Sequence, residues 1–176
     1  MTSLLLQNPD MDVRLEKARR LRNYVGLSFL VATPLVVALN WVISHYMVAG
    51  NETESLPDKL FIVERGMHPV GRGELMAFRV GERVRHYPVG MIFIKWVVGV
   101  PGDEITWVGD VVYVAGKPVG KAKVQNRFGE VLERIPAGVI PSGKYFVSTT
   151  HPDSYDSRYR EVGLVDDSQV AGKVIW

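Results

Sequence analysis

From Tyr24 to Val48 the sequence reads YVGLSFLVATPLVVALNWVISHYMV, without one Asp, Glu, Lys or Arg. About 20 apolar residues in a helix cross the hydrocarbon core of a bilayer, so a run of this length suits one transmembrane helix over residues 24–48. Arg14, Lys17, Arg19, Arg20 and Arg22 precede it, and Asn51, Glu52 and Glu54 follow it. Cytoplasmic flanks collect Lys and Arg, which makes residues 1–23 a cytoplasmic basic segment and sends everything from residue 51 outward. In a bacterium with two membranes this is a single-pass inner-membrane protein with a periplasmic domain. Two other readings of the run stay open. It can be a cleaved signal peptide, whose apolar region usually spans about 7–15 residues, with Ala49-Gly50 as the cleavage site, or the core helix of a soluble protein.

Beyond Gly50 the texture changes. Short runs rich in β-branched and aromatic residues (LFIVE, LMAFRV, MIFIKWVVGV, EITWVG, VVYVAG, GKYFVS, VAGKVIW) alternate with turn signals such as Pro101-Gly102-Asp103, Ala115-Gly116-Lys117-Pro118 and Pro141-Ser142-Gly143. No helix-period stretch of useful length interrupts them. Residues 51–176 are therefore expected to form one mainly antiparallel β domain. The more polar stretch Gly120–Gly138 reads as an inserted loop or hairpin of undeciphered role.

Several chemistries are excluded or unsupported. With no cysteine in the chain there are no disulfides and no thiolate metal sites or nucleophiles. The 4 histidines (His45, His68, His86, His151) are scattered without a metal-binding spacing. Gly71-Arg72-Gly73 lacks the Gly-Lys-Ser/Thr that completes a phosphate loop. A net charge of +2, from 21 basic and 19 acidic residues mixed along the chain, gives little support to a nucleic-acid surface. Neither a cofactor, a metal nor a nucleic-acid partner is expected.

One residue breaks the pattern of its strand. Lys95 sits in Phe93-Ile94-Lys95-Trp96-Val97-Val98-Gly99-Val100-Pro101-Gly102-Asp103, where period-2 alternation puts Phe93, Lys95 and Val97 on one face and Ile94, Trp96 and Val98 on the other. Both faces are apolar, and burying an uncompensated ammonium is costly, so this lysine demands a purpose. Upstream, only a few residues past the apolar run, stands Thr53-Glu54-Ser55-Leu56-Pro57, and downstream Ser154-Tyr155-Asp156-Ser157-Arg158.

These blocks resemble those of type I signal peptidases and, more closely, the TraF-type peptidases of conjugative DNA transfer, from about Asn51 to the C-terminus. The resemblance implies a signal-peptidase-like antiparallel β domain behind one N-terminal transmembrane helix. It also implies a serine endopeptidase or transpeptidase with a Ser/Lys dyad, Ser55 as nucleophile and Lys95 as general base. Thr53 matches the family's side-chain donor to the oxyanion, and Asp156 with Arg158 its charge pair, with Ser154 near the lysine amine; Asp156 is expected to be needed for catalysis in the TraF-like branch. The chain departs from the ordinary pattern twice. Met67-His68-Pro69 follows Gly66 where a serine would stand, so Ser55-Leu56-Pro57 is the better match to the nucleophile box, and Ser148–Asp153 replaces the usual Gly-Asp-Asn.

The implied substrate is a conjugative pilin precursor, cut and cyclised or hydrolysed through an acyl-enzyme. The implied partners are that precursor, inner-membrane lipid and other proteins of the type IV secretion apparatus. Two alternatives stay open: a general signal peptidase that releases exported preproteins after a small-x-small site, and a catalytically inactive assembly factor of the conjugative machinery.

Overall fold

The computed structural model describes residues 9–50, 56–66, 70–126 and 128–176 of the chain, which divide into two units, Met1–Ser44 and His45–Trp176. All but the last residue of α1, Pro9–His45, 37 residues long, falls in the first. At 1.5 Å per residue it extends for about 55 Å, more than the roughly 30 Å of a bilayer core. The apolar part of this helix is long enough to cross a membrane, and none of it is buried within the protein. Three of its polar side chains bond back to the helix itself: Ser28 Oγ donates to the Tyr24 carbonyl at 2.8 Å, Asn40 Nδ2 to Val36 at 3.0 Å and Ser44 Oγ to Asn40 at 2.7 Å. Such i−4 bonds make isolated polar groups tolerable in an apolar medium.

The helix departs from the expected bounds 24–48 at both ends. It begins earlier because Arg, Leu, Lys and Ala in RLEKARRLR are good helix formers. It ends at His45 because Tyr46–Gly50 form β1, paired antiparallel with β2, Leu60–Arg65, from Tyr46↔Glu64 to Gly50↔Leu60. The globular unit thus starts at His45, ahead of the expected residue 51, since a strand partner outweighs helix continuation for these residues.

The second unit is all antiparallel β. Its strands are β3 (Leu75–Arg79), β4 (Ile92–Gly99), β5 (Glu104–Val108), β6 (Val111–Val114), β7 (Lys117–Lys121), β8 (Gly138–Val139), β9 (Lys144–Ser148), β10 (Val165–Asp166) and β11 (Val170–Val174). They make a seven-stranded sheet in the order β1-β2-β11-β3-β4-β9-β10 and a four-stranded sheet β7-β6-β5-β8. Period-2 alternation separates two cores across the large sheet: Met76, Phe78, Val97 and Val147 pack on one face, and Phe61, Val63, Ala77, Ile94 and Ala171 on the other. A third cluster, Ile105, Val112, Val114, Ile140 and Phe146, joins the small sheet to β9.

Two glycines are demanded by this packing. A Cβ on Gly172 would collide with the Glu64 carbonyl where β11 bulges against β3. A Cβ on Gly99 would lie 2.6 Å from Ile140 Cδ1 and 2.9 Å from Phe146 Cβ, where β4 passes into the small sheet.

Candidate active site

β4 is the central element. It is paired with β3 from Leu75↔Trp96 to Arg79↔Ile92, but with β9 only from Trp96↔Ser148 onward. Among the described residues, the edge at Phe93 and Ile94 therefore has no strand of the sheet opposite β3. Its far end is fixed by a corner that the sequence marks with Pro101-Gly102: Asp103 N–H donates to the Val100 carbonyl at 3.1 Å around Gly102, whose φ is +90°. Pro and Gly suit the two central positions of such a turn. Arg72 closes the corner, donating to the Val98 carbonyl at 2.7 Å and to Asp103 at 2.5 Å, while Gly73 N–H donates to Val97 at 2.8 Å. The Arg72-Gly73-Glu74 turn and the Lys95 strand thus form one framework.

Lys95 is 5% exposed. Its amine donates to Ser154 Oγ at 3.2 Å and lies 5.8 Å from the Phe93 ring centroid. Burial pushes its pKa down from 10.5 to about 8; the Asp156 carboxylate opposes that fall and the Arg158 cation adds to it. An amine in this condition is neutral for a useful fraction of the time near neutral pH, the state a general base requires.

The Ser154–Arg158 segment is folded back onto β9 by a reciprocal pair: Ser157 N–H donates to the Val147 carbonyl and Val147 N–H to Ser157 Oγ, each at 3.0 Å. This brings Asp156 (0% exposed) and Arg158 (2% exposed) beneath the lysine. Arg158 grips the carboxylate with Nε to Oδ1 at 2.9 Å and Nη2 to Oδ2 at 3.0 Å, the bidentate geometry suited to a buried pair. Its remaining donors go to the carbonyls of Lys121 at 2.7 Å and Ser154 at 2.9 Å. Burial works against the guanidinium charge, but the bonded Asp156 carboxylate more than compensates and raises its pKa. The Ser154 carbonyl is held by Arg158 while its hydroxyl accepts from Lys95, so Ser154 links the charge pair to the lysine.

The structure brings together Lys95, Ser154, Asp156 and Arg158. Ser55 and Thr53, the expected nucleophile and oxyanion donor, lie outside the described residues, as do Met67, His68 and Pro69. Leu56, next in the chain to Ser55, is buried with Phe61, Ala77 and Ile94, a cluster on the face of the sheet opposite to that of Lys95.

Two features were not foreseen. Ser148, 1% exposed, donates to Asp156 Oδ2 at 2.8 Å, a support for the carboxylate beyond those from Arg158; the sequence signals were its place at the end of the GKYFVS run and at the start of the segment that replaces Gly-Asp-Asn. The second is a cleft of about 560 Å³, in the size range of small-molecule and peptide sites, lined by Met91 to Lys95 of the β4 segment, by Ser154 and Tyr155, and by residues of the 120–138 insertion.

Comparison with known proteins follows the same outline. The profile of the family "Signal peptidase, peptidase S26" matches residues 21–176. Signal peptidase IB of Staphylococcus aureus is 34% identical over 98 residues, 47% of this chain and 50% of that protein, so the chain spans about half the length of these relatives. Signal peptidase I U of Bacillus subtilis is 26% identical over 176 residues, 91% of this chain and 89% of its own length. The crystal structure of a signal peptidase I from Enterococcus faecalis aligns with 61% of this chain and 98% of its own at a TM-score of 0.39 and 21% identity. With the profile covering nearly the whole of the chain from within α1 to its end, this protein belongs to the signal peptidase family, peptidase S26.

Proposed function

We propose that the chain is a membrane-anchored serine peptidase that cuts a precursor polypeptide, with Ser55 as nucleophile and Lys95 as general base. The observation that carries this reading is the amine of Lys95, buried in an apolar strand, brought to a pKa of about 8 and aimed by Ser154 over the Asp156–Arg158 pair. Ser55 Oγ attacks the scissile carbonyl carbon as its proton passes to neutral Lys95 Nζ. Thr53 and the Ser55 N–H hold the negative oxygen of the tetrahedral intermediate. The resulting ammonium gives its proton to the departing amine and leaves an ester on Ser55. A water, deprotonated by Lys95, or an amine of the substrate itself then releases the acyl group. Asp156 and Arg158 are positioning residues in this scheme.

The anchor is α1, with its basic end in the cytoplasm and the β unit outside, a reading supported by the Lys/Arg bias before the apolar run. Protease added to spheroplasts should digest the β unit; protection until lysis reverses the orientation.

Two substrate readings have separate support. Asn51-Glu52-Thr53-Glu54-Ser55-Leu56-Pro57 and Arg72-Gly73-Glu74 resemble the TraF-type arrangement and favour a conjugative pilin precursor. The likeness to signal peptidases of Staphylococcus aureus and Bacillus subtilis favours a general precursor peptidase. Mass analysis of a co-expressed pilin precursor separates them. A shortened product that has also lost one water is cyclic and supports the first reading, a shortened linear product supports the second, and processing that persists in Ser55→Ala removes the nucleophile from the scheme.

A further inference from the structure

The cleft beside Lys95 continues well past the reacting residues. Its lining runs without a gap from Met91, just before β4, to Lys95, so at about 3.3 Å per residue the cleft follows this segment for about 13 Å. One wall of this extension is a chain of aromatic rings. Phe93 meets Tyr87 edge to face at 5.0 Å between centroids, Tyr87 stacks on Tyr155 at 6.3 Å, and Tyr155 lies 5.9 Å from Tyr159.

The other wall is the insertion that the sequence left without a role. It is a formed hairpin in its described residues: Gln125 bridges Val131, Leu132 N–H donates to the Val124 carbonyl at 2.9 Å, and Asn126 Oδ1 accepts from Phe128 N–H at 2.9 Å and Glu130 N–H at 3.0 Å. Its tip is fastened to the segment that carries Tyr87. His86, in the left-handed region at φ +64°, bonds Glu130 through Nε2 at 2.7 Å and lays its ring on Phe128 at 4.6 Å. This contact joins the hairpin to the segment that carries Tyr87, and His86, Tyr87 and Phe128 all line the cleft.

We propose that this aromatic channel, between Tyr87, Phe93 and Tyr155 on one side and Phe128 on the hairpin on the other, is a recognition site for a large apolar or aromatic side chain of the substrate polypeptide, several residues from the bond that is cut. The proposal rests on the peptidase reading for the identity of the occupant. Continuity with the Lys95 site makes that occupant the polypeptide being cut. An extended chain covers about 13 Å in four residues, so the side chain that reaches the rings lies up to about four residues from the reacting carbonyl. Small side chains would leave the ring faces wet, whereas an indole or phenyl ring packs on them edge or face on.

The test uses the full chain in detergent micelles and fluorescent peptides with alanine at the cut residue and two before it. A tryptophan or a glycine is placed at one position at a time on either side. Binding is measured by anisotropy to the Ser55→Ala variant, so that it does not depend on turnover. At one position tryptophan should tighten binding about tenfold over glycine. Phe128→Ala or Tyr87→Leu, added to Ser55→Ala, should erase that gain while leaving the glycine peptide unchanged. Phe128 is 57% exposed, so its truncation spares the core. No gain at any position, a gain that survives both substitutions, or an equal loss for both peptides overturns the channel. A protein with Ser55 intact that shows the tryptophan preference but cuts none of the peptides refutes the peptidase reading and leaves the channel standing.

Discussion

Lys95→Met should make the protein more stable at pH 7 while abolishing its proposed activity. A pKa brought from 10.5 to about 8 means that the fold disfavours the ammonium by about 3 kcal/mol, at about 1.4 kcal/mol per pK unit. Unfolded, the lysine titrates near 10.5; folded, near 8. Below pH 8 both states are protonated and the folded state carries the whole penalty. From pH 8 to 10.5 the unfolded state binds more protons, so the lysine's contribution to stability rises by that amount. Methionine has similar bulk and nothing to titrate, but it forfeits the hydrogen bond to Ser154, about 1 kcal/mol. The variant should therefore exceed wild type by about 2 kcal/mol at pH 7, and this advantage should fall by about 3 kcal/mol as the pH reaches 10.5. Urea unfolding followed by tryptophan fluorescence, for the full chain in micelles at several pH values, measures the difference. A variant less stable than wild type at pH 7, or a difference that does not vary with pH, refutes the account of a desolvated lysine.

Four further outcomes follow from the same geometry. Arg158→Leu leaves the Asp156 carboxylate buried without its cation and should cost about 3–5 kcal/mol in the same unfolding assay, whereas the half-exposed Arg72–Asp103 pair should yield no more than about 1 kcal/mol on Arg72→Ala. Gly99→Ala forces a methyl into Ile140, Val114 and Phe146 and should cost about 1–3 kcal/mol; a neutral result would show that the junction between the sheets has slack. In wild type, kcat/KM for a cleavable peptide should rise with pH to a plateau above about 8, as the amine becomes neutral. Ser154→Ala should lower kcat with little change in KM, because it disturbs the aim of the base and not the binding of the chain; a pure KM effect argues against that role.

Much of the fold was legible because its signals are local. Absence of charge from Tyr24 to Val48 marks a membrane-length helix, and strands β2, β3, β4, β5, β6, β9 and β11 all fall on runs readable from β-branched residues between Gly and Pro. Lys95 stood out for the same reason, as one charge in an apolar alternation. Boundaries were less legible. Whether Tyr46–Val48 continue the helix or pair with Glu64, Val63 and Ile62 depends on a partner strand later in the chain, which propensity cannot see. The insertion of β11 between β2 and β3 likewise needs residues almost a hundred positions apart to meet.

At the site, the sequence alone offered the candidates: a serine beyond an apolar span, a lysine in an apolar strand, and an Asp/Arg box downstream. Only the tertiary structure decided that Lys95 is buried enough for its amine to titrate near 8, that Ser154 receives it, and that Ser148 steadies Asp156. It also decided that the polar 120–138 segment closes against His86 to make a wall of the cleft. The physical reason is that desolvation and hydrogen-bond geometry depend on what surrounds a group in space, and for each of these residues the surroundings come from distant parts of the chain.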